Sequence, residues 1–332
     1  MNRMRNAACV LLTVLVALAG CTNGGPLREN EGGRPASSST VVGTHTLPEE
    51  LAVVPQEYSS PADRQGTLAD LSYDTWESMS YEQKSQKLTK RAIVYLPPGY
   101  NADMRYNVFY LMHGGWGNET ATLGTPGNPS AFKNVLDHAI ADGEITPVIV
   151  VCPTYNNTSP QDSANFGLAL TLNQNYHQEL LNDLLPAVET TYSTYAEDVS
   201  RQGLMASRDH RGFGGFSMGA VATWRTFQNA LDYFRYFLPM SCGTSLDAER
   251  IFAAAQGHDR ADYFVWVITG SQDFARSYDE DRVELMRHSP FFVEAGTEQG
   301  GNFAFRLKDG YSHDGRAATE YTYNGLRWFW NA

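Results

Sequence analysis

The sequence predicts an α/β protein with a mostly parallel central sheet and helices on both faces. Three observations lead there. Short apolar runs of buried-strand length alternate with helical patterns along most of the 332 residues. Two stretches of alternating polar and apolar residues, joined by a polar connection, precede that alternation. Gly-rich turns and isolated polar residues follow the ends of the runs, where open α/β sheets bind their ligands.

Taken in order, Thr67 to Trp76 and Lys84 to Leu96 form the opening antiparallel pair, closed by a turn at Pro97-Pro98-Gly99. The strands expected next are Tyr106–Met112, Pro147–Cys152, Gly212–Phe216, Phe234–Met240, Tyr263–Thr269 and Phe303–Leu307. Helical patterns separate or follow them at Ser130–Asp142, Asn173–Tyr195, Met218–Asn229, Ala248–Gln256, Glu280–Arg287 and Ala317–Trp330. Such alternation builds one domain, expected over residues 66–332.

The N-terminal segment differs in kind. Arg3 and Arg5 precede an apolar stretch, Ala7 to Leu18, too short to span a bilayer, so residues 1–20 read as an export signal. Leu18-Ala19-Gly20-Cys21 has the form of a bacterial lipobox, which would make Cys21 the acylated N-terminus of a cell-surface lipoprotein; an ordinary secretory signal is the alternative. Residues 21–65, rich in Gly, Ser, Pro and Asn, are expected to be a tether, within which Val41 to Val54 is a candidate extra strand.

Charged residues make up 19% of the chain and the formal charge is −12, without a cluster of Lys or Arg. That balance excludes nucleic acid as a partner and leaves a lipid anchor as the sole expected link to a membrane. Of four cysteines, Cys152 and Cys242 remain in the folded part. Each closes a strand not expected to neighbour the other, too far for disulfide geometry, so two buried thiols are expected.

Chemistry concentrates after four strands. Gly215-Phe216-Ser217-Met218-Gly219 is a G-x-S-x-G nucleophile turn, in which a strand ends, a helix begins and the serine is thrust outward. A Cβ at Gly215 or Gly219 would collide across so tight a turn. The N–H of Met218 then lies at a helix N-terminus, suited to a developing oxyanion. His113-Gly114-Gly115-Trp116-Gly117 follows an earlier strand and can supply a second N–H; His113 itself reads as structural. Asp273 follows the Tyr263–Thr269 strand, with Asp279 and Asp281 as rivals, and His313 follows the final strand. Ser217, Asp273 and His313 occur in the order of an α/β-hydrolase triad.

These motifs resemble the esterase D-like branch of the α/β-hydrolases, in particular carbohydrate esterase family 1, the feruloyl and acetyl xylan esterases. The likeness runs through Val94 to Tyr100, Tyr110 to Gly115, Leu180 to Tyr192 with Pro186 and Glu189, the Ser217 turn, and Gly310 to Asp314, so it covers about Thr67 to Ala332. It implies the α/β-hydrolase fold, Ser217 as nucleophile, Asp273 as acid, His313 as base, and Gly115 with Met218 as oxyanion donors. Ala220, where many relatives carry Gly, and the long Trp116–Pro129 loop depart from the pattern.

The mechanism so implied needs no metal or cofactor, and the chain has no H-E-x-x-H, paired Cys/His spacing, dinucleotide fingerprint or P-loop lysine. Trp116, Tyr155, Asn156 and Asn157 follow strands at the expected pocket mouth, where they either meet an aromatic acyl group or sugar or pack loops. Resemblance and export together point to feruloylated or acetylated plant cell-wall polysaccharide, or its oligosaccharides, as substrate. Siderophore or small acyl esters, acyl transfer to a cell-wall sugar, and carbohydrate binding without catalysis are the competing readings.

Overall fold

The structure, a computed structural model, describes residues 47–296 and 300–331. The signal segment, Cys21 and the first part of the expected tether lie outside the described residues.

Eight strands form one sheet: β1 (Thr67–Trp76), β2 (Lys87–Leu96), β3 (Asn107–Met112), β4 (Val148–Cys152), β5 (Arg211–Phe216), β6 (Tyr236–Met240), β7 (Phe264–Gly270) and β8 (Phe303–Lys308). Their order across the sheet is β1-β2-β4-β3-β5-β6-β7-β8. β1 with β2 and β2 with β4 run antiparallel, and every later pairing is parallel. The polar–apolar alternation of β1 reflects its edge position, with one face wet and one dry. β3 and β4 are buried throughout because successive side chains enter two different cores. Val108, Tyr110 and Met112 join one core, and Phe109 and Leu111 the other.

Helices α1 (Ala131–Ala141) and α6 (Gly315–Trp328) cover one face; α2 (Phe166–Asn175), α3 (Met218–Ala230), α4 (Ala248–Ala255) and α5 (Arg276–Arg287) cover the other. Boundaries follow local capping. The Ser130 hydroxyl accepts from the Phe132 N–H at the start of α1, and the Asp314 carboxylate from the Ala317 N–H at the start of α6. Among the described residues no helix is long and apolar enough to cross a membrane.

Two expectations need correcting here. The tether does not extend to residue 65: Leu47, Leu51 and Tyr58 are buried in the α1–α6 core. Ala52 exchanges both backbone hydrogen bonds with the Asn324 side chain, at 2.8 and 2.9 Å, and Tyr58 stacks on His138. Scattered apolar residues in a polar background gave no periodic signal, yet they fill gaps between helices. Residues 47–54 form no strand, because their polar backbone groups bond to side chains and not to a neighbouring strand.

The helix expected at Asn173–Tyr195 is instead a longer, interrupted stretch. It begins with α2 at Phe166, where the Asn165 side chain caps the Leu168 N–H, and continues through a π-helical turn at Leu180–Leu184 to Thr191. Pro186, without an N–H, sits in the first turn after the π segment, where the missing donor costs least. Thr194 is extended and bridges to Tyr106. Cys152, which ends β4, and Cys242, just past β6, are buried free thiols with β3 and β5 between those strands.

Candidate active site

The carboxyl ends of β3, β5, β7 and β8 bring the candidate residues together. Ser217 occupies the β5–α3 turn with φ 60° and ψ −117°, a conformation rare for a residue with a side chain. Tertiary bonds hold it there. Its N–H donates to the Met240 carbonyl at 2.9 Å, and its own carbonyl accepts from the Ala220 N–H at 2.9 Å. A Cβ on Gly215 or Gly219 would lie 2.6 or 2.3 Å from the Met112 carbonyl oxygen, so β3 presses directly against this turn.

His113 is buried, its Nδ1 bonded to the Gly114 carbonyl at 2.7 Å and its Nε2 to the Thr154 hydroxyl at 2.8 Å. The carbonyl is an acceptor, so Nδ1 carries the proton and Nε2 accepts from Thr154. Burial pushes the His113 imidazole down to about 4, so it is neutral at physiological pH. With both nitrogens occupied it is structural, as expected. The N–H groups of Gly115 and Met218 donate to no backbone or side-chain acceptor among the described residues.

Asp273 and His313 lie on loops that are stitched together. The N–H groups of Ser271 and Gln272 donate to the carbonyls of Lys308 and Tyr311 at 2.9 and 3.0 Å. His313 Nδ1 lies 2.9 and 3.0 Å from the two carboxylate oxygens of Asp273. Burial pushes the Asp273 carboxyl up, but hydrogen bonds from the imidazole, the Ala275 N–H and the Ser241 hydroxyl outweigh it and hold the group below its ordinary value. The Asp273 carboxyl is therefore ionised and faces His313 Nδ1, an arrangement that would leave Nε2 for proton transfer. The His313 ring packs on Phe216, the residue before Ser217, with centroids 4.5 Å apart.

The rival Asp279 is committed elsewhere. Its carboxylate bonds to Arg282 at 2.7 Å and to the Cys242 N–H at 3.0 Å. Burial raises it to about 7 despite the guanidinium.

Ser217 opens into a cleft of about 130 Å³ bounded by Gly115, Trp116, Phe166, Met218, Val221 and Phe274. Trp116 stands exposed at its edge. Tyr155 and Asn156 depart from the expected substrate contact, since both are buried beneath the β3 loop. Tyr155 stacks on His113 and donates to the Gly114 carbonyl at 3.1 Å. The Asn156 amide bridges the carbonyls of Gly117 and Pro160 and accepts from the Ser163 N–H. The hydroxyl of Tyr155 and the double donor of Asn156 satisfy loop backbone that would otherwise be stranded. Asn157 likewise bonds within the loops, to Ser78 and Glu77. Sequence reasoning missed Phe166 and Phe274, since nothing local distinguishes an exposed phenylalanine from a core one.

A larger depression, about 580 Å³, is bordered by Tyr195, Asp198 and His210. It sits at the amino ends of β3 and β5, away from the end at which such sheets hold their ligands. Among the described residues no group of three or more His, Cys, Asp or Glu side chains is arranged to hold a metal ion.

Sheet and serine turn define the class, an α/β-hydrolase, and its relatives place it among the serine carboxylic ester hydrolases. The family model described as putative esterase matches residues 85–284. Endo-1,4-beta-xylanase Y of Acetivibrio thermocellus is 37% identical over 285 residues, 83% of this chain and 24% of that protein. The chain thus spans about a quarter of the length of the curated relatives it matches. Among solved structures, a mutant of the feruloyl esterase module from Clostridium thermocellum complexed with sinapinate is 35% identical. It superposes with a TM-score of 0.70 over 86% of this chain and 95% of the module. A ferulic acid esterase of carbohydrate esterase family 1 from Anaeromyces mucronatus shares the fold, with a TM-score of 0.61 at 16% identity. The chain belongs to the esterase family, as its resemblance to carbohydrate esterase family 1 implies.

Proposed function

We propose that this protein is an exported feruloyl esterase that releases ferulate from the sugar side chains of plant xylan. The observation that carries the reading is 35% identity across 95% of a feruloyl esterase module that itself holds a hydroxycinnamate, sinapinate. Trp116 and Phe166, which edge the cleft beside Ser217, support the same acyl class.

In the proposed route Ser217 Oγ attacks the ester carbonyl carbon while His313 Nε2 takes its proton, and Asp273 stabilises the imidazolium. The oxyanion rests on the N–H groups of Gly115 and Met218, which have no competing acceptor among the described residues. As the carbon–oxygen bond breaks, His313 returns the proton to the departing sugar oxygen. Water, deprotonated by the same imidazole, then cleaves the acyl-enzyme to free ferulate and Ser217.

The test is hydrolysis of methyl ferulate beside 4-nitrophenyl acetate, with Ser217→Ala as control. Serine-dependent ferulate release is expected. Acetate release alone would replace the reading with a deacetylase or small-ester hydrolase. The lipobox at Leu18 to Cys21 supports anchoring through acylated Cys21. Detergent-phase partitioning should then be lost in Cys21→Ser, and equal partitioning of the two would exclude the anchor.

A further inference from the structure

The alcohol half of the ester has a place of its own. In the proposed reaction the departing oxygen must take a proton from His313, so the group it belongs to lies against whatever flanks that imidazole. Two aromatic rings flank it, Phe216 with centroids 4.5 Å away and Phe274 at 4.4 Å. Phe216 ends β5 and packs into the core, whereas Phe274 is 63% exposed and borders the cleft beside Ser217.

The ring is held by its surroundings. Its neighbour Asp273 is fixed by the His313 bond and by accepting the N–H groups of Ala275, at 2.8 Å, and Arg276, at 3.1 Å. The ring also lies over Gly243, where a Cβ would come 2.4 Å from its edge, so no side chain competes for the seat. A fixed, exposed phenyl face pays a hydration cost and contributes nothing to burial. The C–H face of a sugar ring, apolar and flat, matches it as an aromatic ring matches a ligand that is wet on one side.

We infer that Phe274 is the platform for the sugar ring that carries the ester, a specificity determinant for the alcohol half and not the acyl half. This rests on the feruloyl esterase reading above. It predicts that the enzyme prefers feruloylated arabino-xylo-oligosaccharides over methyl ferulate, and that Phe274 supplies much of the difference.

The test compares wild type, Phe274→Ala and Phe274→Trp on both substrates, recording kcat and KM separately and the pH profile of kcat/KM. The expected result is a rise of about tenfold in KM for the oligosaccharide ester in Phe274→Ala, the size of one lost stacking contact. Methyl ferulate kinetics should change less than twofold, the pH profile should stay in place, and Phe274→Trp should restore the oligosaccharide KM. An equal loss on both substrates, or a displaced pH profile, would show that the ring only supports His313 and would overturn the inference. Unchanged kinetics on both would overturn it as well. If wild type releases ferulate from neither substrate, the feruloyl esterase reading fails and takes this one with it.

Discussion

Exchanging Asp273 for Asn should separate it from its buried rival Asp279 for the role of triad acid. In the proposed transition state His313 would be an imidazolium, with its Nδ1 2.9 Å from an Asp273 oxygen. At that spacing and an effective dielectric of about 20, Coulomb's law gives about 5–6 kcal/mol of stabilisation. Asn carries no charge, and its amide can also hold the imidazole in the wrong tautomer. Each 1.36 kcal/mol is tenfold in rate, so kcat should fall by roughly 10⁴. The fold should survive, because the Asn oxygen can still accept the Ala275 N–H now bonded to Asp273. Asp279→Asn makes the contrast. It strips the carboxylate from a buried Arg282 and from the Cys242 N–H, so the cost falls on stability, roughly 3 kcal/mol. Activity should stay within about tenfold of wild type. Both variants should be assayed at pH 8, above the value of about 7 to which burial raises Asp279, so that wild type carries both charges. The readouts are kcat on methyl ferulate and the urea midpoint. Asp273→Asn within tenfold of wild type, or a folded Asp279→Asn slowed by more than 10³, would refute the assignment.

Gly219→Ala would drive a Cβ to 2.3 Å from the Met112 carbonyl oxygen, a backbone group with no rotamer to yield. Thermal melting should drop by several degrees and kcat by at least 10²; an unchanged variant would mean that β3 does not press on the serine turn. His113→Gln addresses pH. The folded imidazole, pushed down to about 4 by burial, stays neutral while the unfolded one takes a proton near 6.5. Wild-type stability from this group is therefore fully present above pH 6.5 and falls as pH drops towards 4, by about 3 kcal/mol in all. Gln does not titrate, so the destabilisation it causes, read from urea melts, should shrink between pH 7 and pH 4. Asp279, raised by burial, has the opposite slope, but it is common to both proteins and cancels in the difference. A pH-independent gap would refute a neutral, buried His113.

Much of this molecule was legible in the chain. Most of β3 to β7 could be read because buried strands need short apolar runs, and the serine turn because its steric demand falls on Gly215 and Gly219 within five residues. The order Ser217, Asp273, His313 pointed to three strand ends, and their convergence follows from the parallel sheet that those strands form. These signals are local: a backbone conformation, a short repeat, a cap.

Tertiary structure decided what depends on distant partners. Asp273 and Asp279 are alike in sequence; contact with His313 in one case and with Arg282 in the other separates them. Tyr155 and Asn156, open in the sequence to substrate contact or loop packing, are covered by the β3 loop, and Phe274, which no local signal marked, stands exposed beside the serine cleft. Residues 47–65 read as linker because their few apolar side chains have no period, yet Leu47, Leu51 and Tyr58 complete a core built by α1 and α6. Burial belongs to a residue's neighbours in space, and a single chain read in order records only its neighbours in sequence.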